Sequence, residues 1–208
     1  MVAAITVAGI GPGSPDYMIP AAREAIDTAD VVVGGKRALD TLVTGSQRRL
    51  SITADLKTLE QSIRAVPEQE KITILVSGDP GYYSLLQWLR RTFPDEPIRV
   101  IPGLSSIQVA FSRIAESWYD ATLLSFHGRV PEERELVYRE GRKLAFLTDA
   151  QHNPAYIART LIAHGWPSGA RAVAIERISY EDENAIDTTL ADCANSEGFF
   201  HSVLVVIG

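Results

Sequence analysis

The sequence predicts an α/β protein: two α/β domains with a cleft between them, a mostly parallel sheet in the first and a mixed sheet in the second. Three observations carry this. Short apolar, β-branched-rich runs alternate with amphipathic stretches through the first half, the signature of a parallel sheet covered on both faces. Several of those runs end abruptly in glycine- and proline-rich loops, as buried parallel strands do. After Glu116 the alternation gives way to a mixed order, closing on three expected strands with no long helix between them.

The first strand spans 4–9 and delivers Gly9-Ile-Gly11-Pro12-Gly13-Ser-Pro15. The spacing is not the GxGxxG dinucleotide fingerprint, and Pro12 and Pro15 prevent immediate helix entry; no Gly-Lys-Ser/Thr follows, so it is no phosphate-binding P-loop either. A rigid glycine–proline turn of this kind suits contact with a large planar substrate or a neighbouring loop. Further strands are expected near 30–34, 48–52, 72–76 and 97–101, alternating with helices near 19–29, 36–43, 55–66, 83–93 and 105–116. The run Ile72–Val76 ends in Ser77-Gly78-Asp79-Pro80-Gly81, at the carboxyl edge where open α/β sheets bind ligands. Gly78 and Gly81 let backbone approach a ligand, and Pro80 fixes the path. One such loop reads as a plain strand-to-helix connection; two in one sheet favour a site. A third strand end gives Pro102-Gly-Leu-Ser105-Ser106, with Ser105 placed to cap the next helix and a second hydroxyl left for a ligand.

Beyond Glu116, strands are expected near 121–126, 143–148, 170–177, 184–189 and 199–207, with helices near 132–140 and 153–164. The last three strands should pair antiparallel. A boundary near Ser117–Ala121 gives domains 1–117 and 118–208.

Composition narrows the function classes. At 208 residues, 46% apolar and 22% charged, the chain is long enough for one large or two small cores. A formal charge of -6 argues against general nucleic-acid affinity. Cys193 is the single cysteine, which excludes an intrachain disulfide and a cysteine metal cluster, and no metal ligands are assigned. The start, Met-Val-Ala-Ala-Ile, has no basic region and reads as a first strand, not a signal peptide. No apolar run nears the roughly 20 residues that span a bilayer. The expectation is a cytoplasmic enzyme.

Gly9–Ser14, Ser77–Pro80 and Pro102–Ser106, in this order, resemble the tetrapyrrole (corrin/porphyrin) methylases. Val33-Gly-Gly-Lys-Arg37, Gly81-Tyr-Tyr-Ser84 and Ser125-Phe-His-Gly-Arg129 extend the likeness to the branch that methylates carbon 5 of a corrin precursor in cobalamin biosynthesis. The resemblance covers essentially the whole chain. It implies S-adenosylmethionine as cofactor, a tetrapyrrole or corrin substrate, a homodimer, and a separate protein for the companion C(15) methylation and decarboxylation. Uroporphyrinogen, diphthine and rRNA ribose methylases share the fold class, and a non-catalytic cofactor-binding module is a further alternative.

The resemblance assigns cofactor contacts to Gly78, Asp79, Pro80, Gly81, Tyr82, Ser105 and Ser106, completed from the second domain by Thr148, Asp149, Ala150 and Ala174. Asp79 has a second reading, a turn former whose carboxylate bonds nearby backbone N–H groups. Gly11, Pro12, Gly13, Arg37, His127 and Arg129 are candidates for the substrate, whose carboxylates suit arginine's fork. Lys36 reads as a solvated first-turn residue. His127 either takes part in proton removal or only donates a hydrogen bond. Arg177 stands where relatives tend to carry a polar uncharged residue, which weakens any role for it. No activated nucleophile is evident, and an electron-rich tetrapyrrole carbon needs none.

Overall fold

The computed structural model describes residues 3–208, which divide by contact into two compact units, one ending at Ser105 and one running from Ser106 to Gly208. The first contains β1 (Ala4–Gly9), α1 (Pro20–Asp27), β2 (Val31–Gly34), α2 (Lys36–Leu42), β3 (Arg48–Ser51), α3 (Leu56–Arg64), β4 (Lys71–Val76), α4 (Leu86–Thr92) and β5 (Ile98–Ile101). Its strands lie in the order β3-β2-β4-β1-β5, and every neighbouring pair is parallel.

Strand alternation explains why this sheet is covered on both faces. Val31, Val33, Ile72 and Ile74 point to one side and pack with Leu59 and Ile63 of α3 and Leu89 of α4. Val32, Leu75 and Ala8 point to the other, against Ala22 and Ile26 of α1 and Leu39 and Leu42 of α2. Each fully buried aliphatic side chain is worth about 1.5–3 kcal/mol. Thr73, on the second face, meets the cost of burying its hydroxyl by donating to the Ala25 carbonyl at 2.7 Å. Helix entries follow local chemistry: Asp55 accepts from the backbone of Lys57 and Thr58, both at 3.1 Å, and Pro20 takes the first turn of α1.

The second unit contains α5 (Ser106–Arg113), β6 (Ala121–Ser125), α6 (Glu133–Leu136), β7 (Lys143–Leu147), α7 (Pro154–Ala163), β8 (Arg171–Glu176), β9 (Asn184–Thr189), α8 (Leu190–Ala194) and β10 (Ser202–Ile207). The order is β6-β7-β10-β8-β9; β6 and β7 are parallel, while β10 runs antiparallel to β7 and β8, and β9 antiparallel to β8. The sheet is mixed and its last three strands pair antiparallel, as expected. One core joins Phe126, Phe146, Leu204 and Val206 to Ile157 and Leu161 of α7, Leu190 and Cys193 of α8, and Trp166. Burial pushes the Cys193 thiol up to about 11, so it stays protonated and is no nucleophile at neutral pH.

Three elements differ from expectation. Helix α5 packs against β10 and β7 and so belongs with the second unit, whereas the sequence placed it before a boundary at 117. Helix α4 begins at Leu86, not near residue 83, because Tyr83 has a positive φ of 47° and Ser84 Oγ bonds the Pro80 carbonyl and receives the Leu86 N–H at 3.2 Å. Helix α6 is one turn, not the stretch 132–140. Val137 turns extended after it, with the Leu136 and Val137 carbonyls taken by Trp166 Nε1 and Arg142 Nη1, each at 2.7 Å.

Candidate active site

Parallel strands place their carboxyl ends on one edge, so the first sheet gathers there the loops after β1, β2, β4 and β5. Three glycines hold the β1, β4 and β5 loops together. A Cβ on Gly9 would stand 2.6 Å from Gly103 N and 2.7 Å from the Gly78 carbonyl, and a Cβ on Gly103 would collide with the same Gly78 oxygen. Gly11 and Gly78, at φ 78° and 70°, meet as an antiparallel bridge in which Gly78 N donates to the Gly11 carbonyl at 2.8 Å. Beyond Gly11, Ser14 caps a 3₁₀ turn, Pro15–Tyr17, by accepting from Asp16 N at 3.2 Å. Pro12 and Gly13, just before this turn, are half-buried.

Asp79 ties the cluster. Its Oδ1 accepts from Gly81 N at 2.7 Å and its Oδ2 from Gly103 N at 3.0 Å. The carboxylate is thus a clasp between the β4 and β5 loops, which realises the turn-former reading and adds a long-range bond to it. Around Gly78 and Gly81 little backbone stands close. A Cβ at Gly78 would approach only Ser105 Cα, at 3.6 Å, and one at Gly81 only Asp79 Oδ1, at 3.0 Å. Such a stretch exposes backbone that a ligand could approach where a side chain would otherwise stand. Tyr82 follows, its phenol pushed up by burial and its ring edge-on to Tyr83 at 4.8 Å. Ser105 is buried at the position before α5, and Ser106 opens that helix. Arg37 is the exposed second residue of α2, on the same edge after β2.

In the second unit β6, β7 and β8 share a direction, and β10 starts where they end. This edge collects His127, Gly128 and Arg129 after β6, Thr148, Asp149 and Ala150 after β7, and Arg177 after β8. The Phe126 N–H still donates to the Leu147 carbonyl at 2.8 Å, so His127 is the first residue past the ladder. Its backbone N–H donates to Ser125 Oγ at 3.1 Å, and its Nδ1 lies 3.3 Å from the Thr148 carbonyl oxygen. Gly128, at φ 66°, turns the chain and donates its N–H to Asp149 Oδ2 at 3.2 Å. Asp149 Oδ1 accepts from His152 N at 2.7 Å and Gln151 N at 2.9 Å, with His152 Nδ1 3.0 Å away. Burial opposes ionisation of Asp149, but the N–H groups of His152, Gly128 and Gln151 and the His152 ring outweigh it and hold the carboxyl well below the usual carboxylate range. This is a second clasp, between the β6 and β7 loops.

The side chains of two expected residues, Ala174 and Thr148, and of Arg177 are engaged within the unit. Ala174 lies inside β8, fully buried in the unit's core and paired with Leu204 and Ile186, so its side chain is not at the strand ends. Thr148 is buried, and its hydroxyl is taken by the Ser202 carbonyl and hydroxyl at 2.7 and 2.9 Å, leaving its own carbonyl for His127. Arg177 is paired with Asp182 at 2.5 Å and lies over the Tyr180 ring, which occupies its charge locally. Gly9 and Gly103 lie within the glycine motifs without a separate sequence-based role, and His152 and Ser202 lie outside every motif. His152 stands three residues after Asp149 in an Asx-type turn, a spacing visible in the sequence; Ser202 meets Thr148 only across the sheet.

Residues 4–194 match the family described as Tetrapyrrole (Corrin/Porphyrin) Methylases. The chain belongs to this family. Its members are methylases, and S-adenosylmethionine is their methyl donor. Within the family, the chain is 38% identical over 180 residues to the cobalt-precorrin-7 C(5)-methyltransferase of Salmonella typhimurium, covering 86% of this chain and 87% of the relative. It is 31% identical to a probable cobalt-precorrin-7 C(5)-methyltransferase of Methanocaldococcus jannaschii, over 98% of both chains. The crystal structure of a precorrin-6Y methylase from Archaeoglobus fulgidus superposes with a TM-score of 0.74 at 22% identity, covering 98% of this chain and 97% of that one, which extends the likeness to the fold.

Proposed function

We propose that this methylase transfers a methyl group from S-adenosylmethionine to carbon 5 of a corrin precursor of the cobalt-precorrin-7 (precorrin-6Y) kind, in cobalamin biosynthesis. The likeness to the C(5)-methyltransferases along nearly their whole length carries the reading. The donor, when bound, supplies an electrophilic methyl group that an electron-rich tetrapyrrole carbon attacks directly. The protein's part is to hold the two in attack geometry, which is worth several orders of magnitude in rate.

In this reading the Gly78–Tyr82 cradle, Ser105 and Ser106 hold the donor, with Thr148, Asp149 and Ala150 contributing through backbone and turn geometry and Ala174 only as core support. Gly11–Gly13, Arg37, His127 and Arg129 face the substrate, Arg129 as partner to a peripheral carboxylate. The enzyme works in the cytoplasm as a homodimer, and a separate C(15)-methyltransferase and decarboxylase acts in the same pathway. Among the described residues no helix is long and apolar enough to cross a membrane. Adjacent Trp118 and Tyr119, 44% and 87% exposed, offer apolar surface of the kind a second copy covers.

The test is turnover of a corrin precursor with S-adenosylmethionine, with the methylated carbon located by NMR of the product. Methylation at carbon 5 is the expected result; binding of S-adenosylhomocysteine with no transfer to any tetrapyrrole would make the chain a cofactor-binding module instead.

A further inference from the structure

Replacing a C–H hydrogen by methyl releases one proton, and the positioning described so far gives that proton no destination. We infer that His127 Nε2 receives it. A carbonyl oxygen only accepts, so the 3.3 Å contact of His127 Nδ1 with the Thr148 carbonyl requires the hydrogen on Nδ1. The neutral ring then carries its lone pair on Nε2, the nitrogen available to take a proton. His127 is exposed, and its Nε2 makes no hydrogen bond to the described residues.

The backbone around it is held from two sides. Ser125 Oγ accepts the His127 N–H at 3.1 Å, and Asp149 accepts the Gly128 N–H at 3.2 Å while anchored to the His152 backbone. Asp149 is therefore a positioning residue for the imidazole, and the Thr148 carbonyl sets its tautomer.

The step balances. As the substrate carbon forms its bond to the methyl carbon, the sulfonium C–S bond breaks. The C–H bond at the same carbon then breaks, its electron pair restores conjugation in the macrocycle, and the proton passes to Nε2, leaving an imidazolium that returns it to water. The inference rests on the proposed methyl transfer, and it resolves the two roles left open for His127 in favour of proton removal.

Two measurements test it. Long-range ¹H–¹⁵N NMR of the free protein reads the His127 tautomer without substrate or cofactor; the Nδ1–H form is expected, and a dominant Nε2–H form would overturn the inference. Kinetics then compare wild type with His127→Asn, whose amide N–H keeps the bond to Thr148 but offers no basic nitrogen. The expected result is a fall in kcat of about 10²–10⁴-fold with KM near wild type, partly restored by added imidazole in His127→Ala. Wild-type kcat in His127→Asn overturns it, as does a loss that appears in KM and in equilibrium tetrapyrrole binding. A wild-type enzyme that binds the corrin precursor and S-adenosylhomocysteine without turnover fails the proposed function itself, a result distinct from a defect confined to the variants.

Discussion

Replacing Asp79 by alanine removes two acceptors at once, Oδ1 at 2.7 Å from Gly81 N and Oδ2 at 3.0 Å from Gly103 N. A hydrogen bond to a charged group contributes about 1.5–3 kcal/mol net. Asp79 is half-buried, so the freed N–H groups regain some water and the lower figure applies to each. The loss is then about 3 kcal/mol, or about 6–12 °C in Tm for a chain of this size. The second effect is on the cradle. A β4 loop that is competent only about one-tenth of the time weakens apparent cofactor affinity about tenfold. Thermal unfolding and titration calorimetry with S-adenosylhomocysteine read the two effects separately. Asp79→Asn keeps one acceptor oxygen and should recover about half of the stability. If Asp79→Ala melts with wild type and binds S-adenosylhomocysteine unchanged, the clasp is incidental and the cradle does not depend on it.

The two kinds of glycine should separate in the same assays. Gly81→Val puts a Cβ 3.0 Å from the clasp oxygen Asp79 Oδ1, so it should bind S-adenosylhomocysteine at least tenfold more weakly and share part of the Asp79→Ala stability loss, whereas Gly9→Ala drives a methyl into the Gly103 and Gly78 backbone and should cost about 1–3 kcal/mol in urea unfolding. Gly78→Val tests the site less cleanly, since a β-branched residue at φ 70° is strained whatever it touches. Arg129→Ala should raise KM for the corrin precursor roughly ten- to hundred-fold through loss of one charge-assisted bond and leave S-adenosylhomocysteine affinity unchanged; intact kinetic constants would make the loop structural. For Asp149, the folded carboxyl titrates below its unfolded value, so its stabilising contribution is present above about pH 4 and is lost as pH falls below that. Unfolding free energy measured against pH should therefore decline less steeply in acid for Asp149→Ala than for wild type, and parallel curves would refute the assignment.

What the sequence reveals of this fold is what local chemistry decides. Strand 184–189 coincides with β9, bounded by the acidic turn Glu181–Glu183 before it and by Thr189, which caps α8, after it, and the Ile72–Val76 run ends just before Gly78. The parts it conceals are decided by distant partners. Helix α5 follows directly on β5, and its assignment to the second unit depends on β10 and β7, far along the chain. Helix α6 stops after one turn because Trp166 and Arg142 capture the carbonyls at its end, and no residue within 132–140 announces either. Ala174 shows the converse: a segment at the right place in the order of motifs, whose side chain the register turns into the core.

The candidate site divides along the same line, and Asp79 and Asp149 show why. Each is an aspartate just past a parallel strand, and each makes one class of bond that sequence spacing foretells: Asp79 to the N–H two residues on, Asp149 to those two and three residues on. Each also makes one bond that spacing cannot foretell, to a glycine N–H on another loop: Gly103, 24 residues away, and Gly128, 21 residues away. Those second bonds fix one strand-end loop relative to another. An aspartate in a strand-end turn has unused acceptor capacity once its local bonds are made, and a neighbouring loop supplies the donor when a glycine brings its backbone close enough. The informative pattern is therefore the pair: an Asx turn after one parallel strand and a glycine in the loop after another strand of the same sheet. On that pattern the Asp79–Gly103 and Asp149–Gly128 clasps, rather than the aspartates alone, are the units that hold one strand-end loop to another.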